Sequence, residues 1–171
     1  MKSPNLIYEQ LKDSKLMKDL SYKDLMSFIE NIGIKTISSN EIIINEDSHG
    51  TFLVFLIDGE VSISRKMTLK QNQNDEYQEK EILKTDSTNK PIFGEIGLFG
   101  KSHKRTATIK TLTNCTIGII DKEKFFNVCE NNTTLGYQLL KNISVILSER
   151  IMDTNTNVMK LTTALCLILE K

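Results

Sequence analysis

Residues Thr51 to Ser64 read TFLVFLIDGEVSIS, an apolar run, an Asp-Gly pair and then an alternating run. Runs of this composition and length are strands. Asp58-Gly59 between them is a tight-turn or bulge signal, predicted to fold one strand onto the next. The same texture extends outward in both directions. IKTIS and EIIIN precede it, and KEILK, RTATIKTL and CTIGIID follow, for about seven or eight strands in all. The polar stretch from Met67 to Tyr77, MTLKQNQNDEY, has no period and reads as a solvated hairpin loop.

Before Ile34 and after Asp121 the period changes to 3.6. Leu6, Ile7, Leu11, Leu16, Leu20, Leu25, Phe28 and Ile29 recur at helical spacing, with Ser21 placed to cap a second helix. DKEKFFNVCE carries Asp121 as a cap and Phe125, Phe126 and Val128 as a buried side. A longer helix is predicted from about Thr134 onward. Its positions 140, 144, 147, 151, 154, 158, 161, 165 and 168 read Leu, Ser, Leu, Ile, Thr, Val, Leu, Leu, Ile. So narrow a row in alternating steps of four and three is what two supercoiling helices require. One helix lying on its own domain is the alternative. The order of helices, strands, then helices predicts an antiparallel barrel or sandwich with flanking helices, not alternating α/β.

Composition narrows the function classes. The 22 basic residues balance the 22 acidic ones, so the totals favour neither nucleic acid nor a lipid surface. The cysteines, Cys115, Cys129 and Cys166, are three, widely spaced and set among apolar neighbours. That pattern predicts buried free thiols in a reducing compartment. The N-terminus lacks the apolar run of a signal peptide, and no stretch approaches the roughly eighteen apolar residues of a membrane span. A soluble cytoplasmic protein is expected.

The stretch that carries chemistry is FGEIGLFGKSHKRTA, Phe93 to Ala107. Ile92-Phe93 leads in as a strand, and Gly94 admits a backbone conformation closed to other residues. Glu95 stands where the chain turns into a short helical piece whose N–H groups lack partners, a setting that suits an anion. Arg105, ten residues on, can add charge-assisted bonds to phosphate oxygens, and Ala107 is small enough for close backbone approach. Glu95 repels phosphate but accepts from a sugar hydroxyl. Together they describe a pocket for a phosphorylated sugar.

FGEIGLFGKSHKRTATIKT resembles the phosphate-binding cassette of the cyclic nucleotide-binding domain, especially that of the bacterial catabolite activator family. FLIDGEVSIS resembles its strand–glycine–strand signature, LKDLSYKDL its helical entry, and NCTIGIIDKEKFFNVCENN the strand into its hinge helix. The resemblance covers roughly residues 16 to 150. It implies an antiparallel β-roll or jelly-roll at 34–133, after an N-terminal helical segment at 1–33 and before a hinge and dimerisation helix at 134–171. It further implies that Glu95 binds the ribose 2′-hydroxyl and Arg105 the cyclic phosphate. Backbone groups of Gly94, Ile96, Thr106 and Ala107 would complete the cradle, with Gly59, Val61 and Ser62 as the opposite wall.

Two turns depart from the family's pattern. SSNE at Ser38–Glu41 lacks the usual proline or glycine before the acid, and Lys90-Pro91 replaces a glycine–acid pair.

The family caps the base with its last helix. A local match of SERIMDTN puts Thr154 and Asn155 over the base, whereas an ungapped one puts Arg150 and Ile151 there; both registers stay open. The hydroxyl of Thr106 does not choose between guanine and adenine. The cassette spacing follows the bacterial activators, which places cAMP ahead of cGMP as the ligand; no other cofactor is implied.

The activators continue into a DNA-reading helix-turn-helix. None follows here and no basic face is present, so direct DNA binding is not expected. The resulting expectation is a free-standing receptor that pairs with a second copy through its last helix and acts on a further protein partner. A metal enzyme of cupin type would need a histidine cluster, and only His49 and His103 exist, each in a predicted loop. An adaptor that keeps the fold without the nucleotide is the alternative.

Overall fold

In the computed structural model the described residues are 4–67, 78–100 and 104–169. The predicted loop at Met67 to Tyr77 and His103 lie mostly or wholly outside them. Among the described residues, eight strands form two four-stranded antiparallel sheets followed by a long helix. One sheet orders β1 (Gly33–Ile37), β8 (Cys115–Asp121), β3 (Phe52–Asp58) and β6 (Ile92–Phe93). The other orders β2 (Ile42–Ile44), β7 (Thr108–Thr111), β4 (Glu60–Lys66) and β5 (Glu79–Asp86).

The unbroken apolar reading of β3 follows from burial on both faces. Val54 and Leu56 pack between the sheets with Val61, Ile109 and Ile117, while Leu53, Phe55 and Ile57 point to the helices. Against that outer face lie α1 (Pro4–Leu11), α2 (Tyr22–Ile29), α4 (Lys122–Asn131) and the start of α5 (Thr133–Leu169). Phe28 stands edge-on to Phe55 and Phe125, with centroids 6.2 and 6.0 Å away. Ser21 caps α2 by accepting from the Asp24 N–H at 3.1 Å. Asp121 occupies the same position before α4 without a side-chain bond.

One strand-pairing expectation is corrected. β3 and β4 are not a hairpin: the chain changes sheets at Gly59, and β4 pairs with β5 and β7. Gly59 has φ +99°, and a Cβ there would sit 2.6 Å from the Cys115 Sγ. The register shift between Leu56 and Asp58 shows the bulge half of the signal to be real.

The two departing turns keep a left-handed backbone without glycine. Asn40 has φ 68° and Lys90 has φ 47°. Asparagine tolerates that region, whereas lysine before proline is strained in it. Lys90→Gly should therefore raise stability by about 0.5–1 kcal/mol, a rise of about 2 °C in the calorimetric midpoint. An unchanged or lower midpoint would show that the turn carries no strain.

The first half of α5 is anchored by a buried amide. Asn142 donates to the Leu16 and Lys18 carbonyls at 2.8 and 2.7 Å and accepts from Gln138 Nε2 at 3.0 Å. This ties the 3-10 turn at Lys15–Met17 to the helix. Leu135, Leu139, Ile143 and Ile146 form the apolar part of that face. From Ile151 to Leu169 every residue is exposed. Cys115 and Cys129 are buried free thiols, and burial pushes Cys129 up to about 11. Cys166 is exposed, contrary to expectation, because its apolar neighbours lie on the overhang.

Candidate functional site

β6 is held by β3 and ends at Gly94, which has φ +90° and starts α3 (Glu95–Phe99). A Cβ on Gly94 would lie 2.7 Å from the Phe52 carbonyl, so the turn admits no side chain there. Glu95, next in the chain, is directed inward and is 3% exposed. Arg105 enters from the other side. Its N–H donates to Ser48 O at 2.9 Å and its carbonyl accepts from Asp47 N–H at 3.0 Å, which pins the loop before β7.

Arg105 is 4% exposed, and its guanidinium is held on two sides. It lies over the Phe52 ring, 4.3 Å from the centroid, and donates to the carbonyls of Gly94 and Phe52 at 3.1 and 2.9 Å. Burial lowers its pKa from the ordinary arginine value, and the nearby Glu95 carboxylate acts in the opposite direction. Starting from so high a value, the group stays charged. The two backbone bonds use two of its five N–H donors.

The Glu95 carboxylate is divided. Oε1 accepts from Arg150 Nη1 on α5. Oε2 is buried and has no hydrogen-bond partner among the described residues. Arg150 also donates to the Ile92 carbonyl at 2.7 Å, so one side chain links α5 to both the cassette and its lead-in strand. A buried carboxylate oxygen without a donor is costly in a folded chain, and such atoms concentrate where a ligand supplies what is missing.

Glu95 and Arg105 open onto one cavity of about 480 Å³. Gly94, Ile96, Gly97, Thr106 and Ala107 line its cassette side. Ile44, Ile63 and Ile109 form an apolar floor, Ile82, Leu83 and Thr85 of β5 a side wall. Arg150, Asp153, Thr154 and Asn157 of α5 stand at the mouth. The Thr154 hydroxyl donates to the Arg150 carbonyl at 2.7 Å, which leaves its oxygen able to accept. An apolar slot with an orphan acceptor, a guanidinium and polar groups at one rim suits a flat ring joined to a sugar phosphate.

The structure thus brings together Gly94, Glu95, Ile96, Arg105, Thr106, Ala107, Arg150 and Thr154. It does not bring Gly59, Val61, Ser62 or Asn155 to the wall. Gly59 sits against Cys115, and Val61 is fully buried between the sheets. Ser62 falls on the opposite face of β4 by strand alternation, its hydroxyl 3.5 Å from the Lys110 carbonyl. The cavity residue of β4 is Ile63. Asn155, one residue past Thr154, is turned about 100° round the helix and out of the cavity. Sequence reasoning missed the β5 wall. Its signal was the adjacent apolar pair Ile82-Leu83 on a strand whose other residues, Thr85 apart, are charged; the pair is 60% and 54% exposed.

Comparison with known proteins agrees with this geometry. The family model of the cyclic nucleotide-binding domain matches residues 34–132. The cAMP-activated global transcriptional regulator CRP of Haemophilus influenzae is 28% identical over 134 residues, covering 78% of this chain and 54% of that protein. The chain spans about half the length of the curated relatives it matches. A cyclic nucleotide-binding domain from Methylobacillus flagellatus superposes with TM-score 0.76 at 17% identity, covering 91% of this chain and 82% of that one. The cAMP-bound PfPKA-R structure gives TM-score 0.59 at 29% identity, covering 74% and 42%. With two antiparallel four-stranded sheets, an acid and an arginine on one cavity wall and a helix at its mouth, the chain belongs to the cyclic nucleotide-binding domain family.

Proposed function

We propose that this chain is a regulatory receptor that binds cAMP, with cGMP as the runner-up, in the cavity between cassette and α5. The observation that carries the reading is the buried, unpartnered Glu95 Oε2 on the same cavity wall as Arg105. A ribose 2′-hydroxyl would satisfy that oxygen. The cyclic phosphate would take donors from Arg105 and from backbone N–H groups of the cassette and of Thr106-Ala107. The base would lie on Ile63 and Leu83, its polar edge toward Thr154. Adenine is favoured by the curated relative, which is named for activation by cAMP, and by a neighbour whose structure holds cAMP.

Arg150 makes α5 part of the site, because the carboxylate that would hold the sugar also holds the helix. Binding that reorders Glu95 would change how α5 is held, and a protein partner reading α5 would sense the change. The row Leu140, Ser144, Ile151, Thr154, Val158, Leu161, Leu165 and Ile168 is exposed, with Leu147 half-covered. It supports pairing of α5 with the α5 of a second copy.

The test is titration of purified protein with cAMP and with cGMP by calorimetry, alongside thermal melts. Micromolar binding of cAMP, with about 2.7 kcal/mol of added stability at a hundredfold excess over Kd, is expected. No heat and no shift with either nucleotide at millimolar concentration would leave an adaptor with an empty fold.

A further inference from the structure

The far third of α5, residues 158–169, is apolar well beyond one row. Lys160 is its sole charged residue. Val158, Leu161, Leu165 and Ile168 continue the pairing row, yet Met159, Leu167 and Leu169 are as open, at 63, 61 and 75% exposure. At 3.6 residues per turn the apolar side chains from Ala164 round to Met159 span an arc of roughly 220°, interrupted by Thr162 alone. A helix facing one neighbour needs a stripe of about 100°. An arc twice that width requires two neighbours.

The row itself changes character along its length. Its heptad places Ile151, Val158 and Leu165 at the first core position, and Leu147, Thr154, Leu161 and Ile168 at the second. A β-branched residue at the first and leucine at the second, as in Val158–Leu161, favours two strands. Leucine at the first and isoleucine at the second, as in Leu165–Ile168, shifts the preference to three or four, and two pairs can close only as four. The flanking positions agree. Ala164 and Leu169 border the last core layer where a two-stranded coil would carry charges. With Asn157 and Thr162 as the other flanking residues, no ionic group is present to select a different protein. The chemistry fits more copies of the same helix.

We infer that residues 158–169 are a tetramerisation surface, on which two α5 pairs of this chain close into a four-helix bundle. The inference rests on the α5 pairing of the proposed function and extends it. The bundle would join two receptor pairs beyond the nucleotide cavities, which lie at the other end of the exposed helix, near Arg150 to Asn157.

Sedimentation velocity and native mass spectrometry of the full chain, from one to one hundred micromolar, test this. The expected species is four times the 19.5 kDa chain. Exchanging the last core layer, Leu165→Ile with Ile168→Leu, should halve that mass at unchanged nucleotide affinity, since neither residue touches the cavity. A wild-type dimer at every concentration overturns the tetramer and leaves α5 pairing standing. A monomer overturns both. An exchanged variant that remains tetrameric shows that another surface joins the pairs.

Discussion

Arg105→Ala should raise the cAMP dissociation constant by at least about a hundredfold while the protein still folds. The guanidinium is the cation on the cavity wall placed by backbone bonds on both sides, to Gly94 and to Phe52. Removing it deletes charge-assisted hydrogen bonds to phosphate worth about 1.5–3 kcal/mol each, and losing two of them is a factor of a hundred or more. The fold is charged much less. Two carbonyls lose donors and Phe52 loses its stacked neighbour, a loss of about 1–3 kcal/mol from a domain that holds about 5–15. Arg105→Lys separates charge from shape. Lysine keeps the positive charge but cannot serve Gly94, Phe52 and a phosphate from one planar fork, so affinity should recover only in part. Calorimetric titration of both variants, with melts to verify folding, decides the matter. Unchanged affinity in Arg105→Ala would mean that the phosphate lies elsewhere.

The cassette could be read before the fold because its chemistry is local. Gly94, Glu95, Arg105 and Ala107 fall within fourteen consecutive residues, and the turn that places them is encoded by the glycine itself. The strands were legible for a similar reason, since burial on one or both faces writes itself into β-branched runs. What escaped notice depends on residues far apart in the chain. Asp58-Gly59 marks a reversal, but nothing local states which sheet the next strand enters. The resemblance implied Gly59, Val61 and Ser62 as a wall, but β4 turns Val61 into the space between the sheets and presents Ile63 to the cavity. The Ile82-Leu83 wall exists because β5 lies at the sheet edge beside the cavity, a fact of topology. The Asn142 anchor joins positions over a hundred residues apart, and an asparagine inside a helical run gives no hint of two carbonyls waiting. From the sequence Arg150 is only a possible base contact. Its bond to Glu95 crosses 55 residues and is specified by packing of α5, not by any motif.

That bond carries the second large effect. Arg150→Ala should cost about 2 kcal/mol of stability, because it leaves Glu95, 3% exposed, with neither carboxylate oxygen bonded. Stripping one partner from a fully buried ion pair typically costs about 3–5 kcal/mol. The Arg150 side chain is 42% exposed, so water entering the vacated space moderates the loss. Glu95→Gln alone should be milder for stability, since the amide keeps an oxygen for Arg150 and brings its own donors. It should lower affinity about tenfold, less than Arg105→Ala, by weakening the acceptor offered to the sugar hydroxyl. The double variant distinguishes the two roles. If the harm in Arg150→Ala is a stranded charge, adding Glu95→Gln should restore 1 kcal/mol or about that, giving a clear coupling in the four-member cycle. Nucleotide affinity should not be restored with it, because the hydroxyl acceptor remains altered. Strictly additive losses would show that Arg150 holds α5 through the Ile92 carbonyl and not through Glu95, and the site would then have no charged link to its helix.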